Sequence, residues 1–351
     1  MADDKYFKGR GSQIQTANPF LQQQYVSEHI EGLDEPLLSQ PQTQIFKESP
    51  KKIVSKVDSP DLGKVYSVNP YQGCEHGCVY CYARNSHQYW GFSAGLDFES
   101  KIIVKEQAAR LLEKELRHKS WELRPIMISG NTDCYQPLER KFKLTRQLLQ
   151  LLKDYRHPVG IITKNSLITR DVDILEEMAK HHLVHVYFSI NTLNEELRGK
   201  MEPRTASARK KLEAMELLSQ KGIPVGVMNA PVIPGLNDHE IPEIIRQSAE
   251  HGARAAGYTI VRLNGSLGPL FGDWLRKNYP DRFEKVWNGI CSLHAGKVND
   301  SQWGRRMGGE GPLALAISQL FRLAKRKYLS GRSMPAYNLQ AFRRGSQYTL
   351  F

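Results

Sequence analysis

Six short apolar runs, each separated from the next by a stretch of helical period, constrain the fold of this chain more than any other feature. The runs cover 64–68, 126–129, 159–163, 184–190, 224–229 and 257–262. The helical patterns between them cover 105–117, 145–156, 172–181, 207–221 and 241–251. Strands separated by helices cannot pair through tight hairpins, so a parallel sheet covered by crossover helices is predicted. Six units are too few for a standard eight-stranded closed barrel. The expected fold class is therefore α/β, a partial, open (β/α)6 TIM-type barrel with an N-terminal arm and a C-terminal extension, and its lateral mouth would admit a large substrate. Chemistry in such barrels sits at the carboxyl ends of the strands, so the residues just after each run are the ones to weigh. The fourth helical pattern carries its own end signals, with Thr205 or Ser207 to cap it and Gly222 to turn the chain left-handed after Lys221.

The expected boundaries are an extended arm over 1–60, a core over 61–265 and a basic extension over 266–351. The arm is rich in Gln, Ser and Pro, and its 37–44 segment has neither helical nor strand period. With 40% hydrophobic and 25% charged residues the chain can bury a core, which excludes wholesale disorder. No run approaches the roughly 18 apolar residues of a membrane span, and Met-Ala-Asp-Asp-Lys lacks the order of a signal peptide, so a cytoplasmic protein is expected. Lys and Arg outnumber Asp and Glu by 49 to 37, which favours a polyanionic partner such as nucleic acid. From 311 to 351 there is no acid at all, while Arg322, Lys325, Arg326, Lys327, Arg332, Arg343 and Arg344 fall there. That tail reads equally as a solvated surface.

Three of the five cysteines, Cys74, Cys78 and Cys81, lie within eight residues directly after the first strand. Such clustering is not a disulfide framework and points to metal binding or catalysis in a reducing compartment. On a loop loosened by Gly73 and Gly77, three thiolates at C-x3-C-x2-C spacing can face one metal centre from different sides. Thiolates suit an iron–sulfur cubane, and three of them leave one iron without a protein ligand. An open coordination position is the mark of a catalytic metal centre. The alternative is a zinc knuckle completed by His76 or His87.

C-x3-C-x2-C with an aromatic residue, Tyr80, just before the last cysteine resembles the signature of the radical S-adenosylmethionine (SAM) family. The resemblance implies a [4Fe-4S] cluster on Cys74, Cys78 and Cys81 whose open iron chelates SAM. It also implies a reducing partner of flavodoxin or ferredoxin type, and cleavage of SAM to a 5′-deoxyadenosyl radical that abstracts hydrogen from substrate. From Tyr71 onward, 131–139, 162–165, 189–191, 201–205, 230–238 and 303–307 resemble uncharacterised bacterial members grouped with spore photoproduct lyase. This implies lyase-like repair or modification of a nucleic acid.

The same resemblance suggests further site residues. Asn131, Thr132 and Asp133 stand where many members carry a Gly-Gly-Glu type grip on the methionine amino group, although Gly, Asn and Asp also simply build turns. Lys164 and Ser189 match cofactor-binding positions. Arg204 suits the methionine carboxylate or a structural ion pair. Asn229 and the 231–235 loop would border the adenosine. Cys134, with Tyr135 as relay, sits near the position of a hydrogen-returning cysteine, but a small buried cysteine is equally ordinary there. Cys291, without ligand-type neighbours, is expected to be structural. Two other functions stay open: radical modification of a peptide or small molecule, and a non-catalytic metal-holding module that binds nucleic acid.

Overall fold

Continuous apolar runs such as Val-Gly-Ile-Ile-Thr and Val-His-Val-Tyr-Phe-Ser form strands buried on both faces, as a parallel sheet under helices requires. In the computed structural model, which describes residues 7–20, 42–61 and 63–344, ten strands follow one another along the chain. They are β1 (Gln44–Lys47), β2 (Val54–Ser59), β3 (Gly63–Val68), β4 (Tyr71–Gln72), β5 (Lys101–Val104), β6 (Ile126–Ile128), β7 (Val159–Thr163), β8 (Val184–Ser189), β9 (Val225–Val232) and β10 (Ala255–Ile260). The main sheet runs β10-β9-β8-β7-β6-β3-β2. Its six parallel strands stand in chain order, with β2 added antiparallel at the edge of β3. This is the expected open (β/α)6 barrel with one additional strand.

The helices that cover the sheet follow the 3.6 period. Leu144–Asp154 buries Leu144, Leu148, Leu149 and Leu152 on one face. The Ser207 side chain caps Ala208–Gln220 by accepting the Lys210 N–H at 3.2 Å, and Gly222 turns the chain after that helix at φ +73°.

The N-terminal region departs from the expected arm. Residues 37–41 of its aperiodic segment lie outside the described residues, but β1 and β2 are strands. β2 shows no clean alternation because its Ser55, Lys56 and Asp58 are exposed at the sheet edge. β1 pairs with β5, and β5 with β4, in a small second sheet that leads directly into the cysteine loop.

Beyond β10, the helices Leu267–Asn278 and Phe283–Ser292 form a second core in which Phe271, Trp274, Val286 and Ile290 pack with Cys78, Val79 and Tyr80. The helix Gly311–Tyr328 lays Ile317, Phe321 and Ala324 into the main core. The basic tail then runs past the amino ends of the strands. Tyr337 stacks on His185 at 4.0 Å, Arg332 donates to the Ala249 and Ala253 carbonyls, and Arg344 donates to the Trp121 carbonyl. Part of the tail's positive charge is thus committed to the fold, while Arg322, Lys325, Arg326 and Lys327 are exposed. Among the described residues no helix is long and apolar enough to cross a membrane.

Candidate active site

The carboxyl ends of the parallel strands and the loop after β4 enclose a cavity of about 450 Å³. One wall carries Cys74, Cys78, Cys81 and Tyr80, and the facing walls carry Ser129–Asp133, Lys164, Ser189, Pro231 and Arg262. The loop is shaped by its own glycine turns and held by backbone contacts from distant segments. Gly73 and Gly77 take φ +81° and +67°, the Cys74 N–H donates to the Phe98 carbonyl at 2.8 Å, and the Val79 N–H donates to the Met201 carbonyl at 3.1 Å.

Arg84, fully buried just after the third cysteine, ties the loop from below. Its guanidinium donates to the carbonyls of Cys78, Ala94 and Gly95 and to the Glu99 carboxylate at 2.5 Å. Glu99 in turn accepts the N–H groups of Gly11 and Ser12 at 3.1 and 2.7 Å, so residues 7–20 are clamped under the same loop. A Cβ at Gly11 would meet the Gly77 carbonyl oxygen at 1.6 Å, and only glycine allows that approach.

Burial pushes the Cys78 and Cys81 thiols above their ordinary range, with Glu202 adding to the effect at Cys78 and Cys74 at Cys81, while Lys164 opposes it at both. Among the described residues no three His, Cys, Asp or Glu side chains close on the point a single ion would need. A cubane places no such demand, because each thiolate binds a different iron. The three free cysteines on one cavity wall, with a cation beside them to favour thiolate, fit that group.

Of the two zinc-completing histidines, His76 stays on the cavity wall and His87 does not. His76 lies 3.4 Å from Asp133 and 3.2 Å from the Asn165 amide. Burial opposes charge on His76, yet the Asp133 carboxylate and then Cys74 outweigh it and raise the imidazole. His87 packs against Phe92 and Phe98, away from the cavity, where burial lowers it to about 4.

The expected site residues divide into two groups. Tyr80, Asn131, Thr132, Asp133, Lys164 and Ser189 join the three cysteines around the cavity. The Tyr80 hydroxyl donates to buried Glu202 and accepts from the Asn191 amide at 3.2 Å, which fixes its ring, and the Lys164 ammonium lies 6.0 Å from that ring's centre. Asp133 accepts the Lys164 N–H at 2.7 Å and the Thr163 hydroxyl at 2.8 Å, so it also builds the turn.

Cys134, Tyr135, Asn229 and Arg204 are not brought to the cavity wall. Ser129 Oγ accepts the Cys134 N–H at 2.8 Å and the Thr145 hydroxyl donates to the Cys134 carbonyl at 2.7 Å, which turns this fully buried cysteine into the main core. The Tyr135 hydroxyl is spent on Asp171 at 3.1 Å. Asn229 alternates with the cavity residues Met228 and Ala230 and donates to the Ile190 carbonyl at 3.0 Å. Arg204 lies 3.7 Å from Glu75, the structural ion pair of its two expected roles.

Arg262, Arg306, Met307 and Tyr82 line the cavity without having been singled out from the sequence as site residues. Two signals pointed to them: Arg262 ends the sixth strand run, and Arg306 and Met307 belong to the 303–307 motif.

An open α/β barrel with three thiols at the carboxyl ends of its strands has the form of a barrel that can hold a metal cluster. The chain belongs to the radical SAM superfamily, whose sequence profile matches residues 68–247. Enzymes of this superfamily use a [4Fe-4S] cluster and SAM, and the former suits the cysteine wall of this chain. It is 33% identical over 218 residues to an uncharacterised protein of Mycobacterium tuberculosis, across 62% of this chain and 64% of that protein. The chain therefore spans just under two thirds of the mycobacterial relative's length. An uncharacterised protein of Methanocaldococcus jannaschii is 30% identical over 246 residues, across 70% of this chain and 87% of its own. Among solved structures, spore photoproduct lyase complexed with dinucleoside spore photoproduct shares the fold with TM-score 0.58 and 15% identity, over 82% of this chain and 80% of that one.

Proposed function

We propose that Cys74, Cys78 and Cys81 hold the [4Fe-4S] cluster, that Lys164 and Ser189 face SAM, and that the substrate is a nucleic acid repaired or rearranged by hydrogen abstraction. The reading is carried by the meeting of three thiols, a lysine and the acceptor-rich Asn131–Asp133 turn on the walls of one cavity. When bound, the cluster supplies the electron that splits SAM into methionine and a 5′-deoxyadenosyl radical. The chain's own residues shape that event. Lys164 beside the sulfurs offers a charge-assisted hydrogen bond to a carboxylate. The Asn131 and Thr132 oxygens offer acceptors to an amino group. Bonds from Asn131 to Asn69 and Gln72, from Thr132 to the Tyr71 carbonyl and from the Lys164 N–H to Asp133 hold those groups in place.

A nucleic-acid substrate is supported by the net charge of +12 and by the fold shared with spore photoproduct lyase, which has been solved in complex with dinucleoside spore photoproduct. Anaerobic reconstitution, iron and sulfide analysis, and dithionite reduction in the presence of SAM test the chemistry. Four irons and 5′-deoxyadenosine from the wild type but not from Cys78→Ala are expected. Zinc in place of iron, or no cleavage by the fully reconstituted wild type, overturns the assignment. Binding to DNA or RNA that falls steeply with salt is expected on the substrate side. Its absence at low salt would shift the substrate to a peptide or small molecule.

A further inference from the structure

The cavity carries cations at its opposite ends. Lys164 stands among the cysteines, whereas Arg262 follows β10 on the far side beside Arg306, Met307 and Tyr82. SAM brings a single carboxylate, and the lysine next to the sulfurs is placed to meet it. Arg262 is then left without an anion.

Its protein neighbours do not supply one. Among the described residues no carboxylate lies within 4 Å of the Arg262 guanidinium, and the two nearby acids are committed. Asp61 accepts Arg306 Nε at 2.6 Å and the Gly304 N–H at 3.1 Å, and Asp300 pairs with Arg305. Burial, and then the adjacent Arg306, hold Arg262 below its ordinary range. A half-buried guanidinium without a partner is costly to maintain, which favours a ligand that supplies the missing charge.

The 303–307 segment completes this end of the site. The Ile260 N–H donates to the Met307 carbonyl, and Gly304 and Arg306 both bond Asp61, in the β2–β3 turn. The segment therefore straps the two free edges of the open sheet together. The Arg306 guanidinium lies 3.5 Å from the centre of the Trp303 ring, and Trp303 and Tyr82 are 53% and 54% exposed. Arg262 and Tyr82 on the cavity wall, with Arg306 beside them carrying the exposed Trp303 ring, bring guanidinium groups and aromatic faces together, the pattern that holds a phosphate and stacks a base.

We propose that Arg262 is the phosphate-binding residue of the substrate subsite, with Trp303 and Tyr82 as stacking surfaces, so that the ligand is a polynucleotide segment with a base placed toward the cysteine wall. This rests on the nucleic-acid reading above. The test is fluorescence anisotropy of a labelled single-stranded oligonucleotide on the reconstituted holoenzyme with SAM present, together with SAM affinity measured separately. Wild type is compared with Arg262→Ala, Arg262→Lys, Trp303→Ala and, as a charge control, the exposed helix residue Arg322→Ala. Iron content and circular dichroism report folding, and Arg262→Lys keeps the test alive if the alanine variant misfolds.

Arg262→Ala should weaken oligonucleotide binding about tenfold and reduce the salt slope by roughly one, with Arg262→Lys between it and wild type. Trp303→Ala should weaken binding with the salt slope retained, and Arg322→Ala should cost less than about twofold, as expected of a distant screened charge. Equal losses in Arg262→Ala and Arg322→Ala would overturn the subsite and leave the nucleic-acid reading standing. A parallel loss of SAM affinity in Arg262→Ala would assign the arginine to the cofactor and overturn the proposal. A wild type that binds no oligonucleotide at low salt would overturn both.

Discussion

Replacing Glu99 by Gln should be the most damaging single-atom change near the cysteine loop. Glu99 is fully buried and meets three donors: Arg84 at 2.5 Å, Ser12 N–H at 2.7 Å and Gly11 N–H at 3.1 Å. Glutamine keeps the shape but removes the charge, so the fully buried Arg84 becomes an uncompensated cation, a loss of about 3–5 kcal/mol. One glutamine terminus is also an NH2 donor, and each carboxylate oxygen already faces a donor. At least one buried N–H is therefore orphaned, at a further ~1–3 kcal/mol. Together the change should cost roughly 4–8 kcal/mol, a large share of the ~5–15 kcal/mol by which native proteins are stable. Urea unfolding followed by circular dichroism reads the global loss. Limited proteolysis within residues 7–20 reads release of the arm, and iron uptake on reconstitution reads the loop. Adding Arg84→Met to Glu99→Gln removes the stranded charge and should recover at least ~1 kcal/mol, because deleting both partners of a buried pair costs less than deleting one. A single-variant loss under ~1 kcal/mol, or a double variant less stable than Glu99→Gln alone, would refute the view that this ion pair holds the arm to the loop.

Three further outcomes follow from the geometry. Gly11→Ala should expose residues 7–20 to protease and slow iron uptake, because its Cβ would meet the Gly77 carbonyl oxygen at 1.6 Å; unchanged cleavage would show that the arm has another way to fit. His157 is buried, with its Nδ1 3.0 Å from the Pro158 carbonyl, and is held at about 4 by burial, below an ordinary value near 6.5. Its folded form binds fewer protons than its unfolded form between those values, so it contributes stability above pH 6.5 that is lost as pH falls toward 4, up to ~3 kcal/mol. Urea midpoints for wild type and His157→Phe across pH 7.5 to 4.5 should show a shallower acid loss in the variant, and parallel curves would contradict this. Asp61→Ala should free Arg306 and Gly304 and so raise the rate of proteolysis within residues 298–309; resistance equal to wild type would show that the Ile260–Met307 backbone bond suffices for the strap.

The barrel was legible because its periods are local. All six parallel strands and the five helices between them arise where apolar runs and 3.6-residue spacing place them, and Ser207 and Gly222 bound their helix as their chemistry dictates. β1 and β2 were not legible as strands, since an edge strand with one wet face carries little alternation and β1 exists only by pairing with residues more than fifty positions away. At the site, the cysteine spacing announced the thiol wall, and positions just after strands announced Lys164 and Ser189. What failed was orientation inside a turn. Residues 129–133 face the cavity and Cys134 faces the core, a split decided by the Ser129 and Thr145 hydroxyls rather than by proximity along the chain. Arg262 was hidden for the opposite reason: at the end of a strand run it read as part of the sheet, and only the strap from 303–307 reveals the space it faces.

The extension beyond β10 links these features to one another. Its first two helices supply the second core in which Cys78, Val79 and Tyr80 are seated, and Trp274 Nε1 donates to the Lys200 carbonyl one residue before Met201, whose own carbonyl accepts Val79. The next segment straps the sheet edges and places Arg306 beside Arg262. The last helix and tail pack against the main core and the amino ends of the strands. A single stretch of chain therefore backs the thiol wall, shapes the far end of the cavity and closes the base of the barrel. Substitutions in its cores should then act on the site through position rather than contact. Trp274→Leu removes the indole donor and leaves a void beside the Val79 contact, a loss of roughly 2–4 kcal/mol for a large-to-small core change. It should lower iron retention while leaving the barrel's far-ultraviolet circular dichroism nearly intact at low temperature. If iron content stayed at the wild-type level in a variant destabilised by that amount, the second core would be a stabilising layer alone, and the seating of the cysteine loop would have to come from the Arg84–Glu99 side.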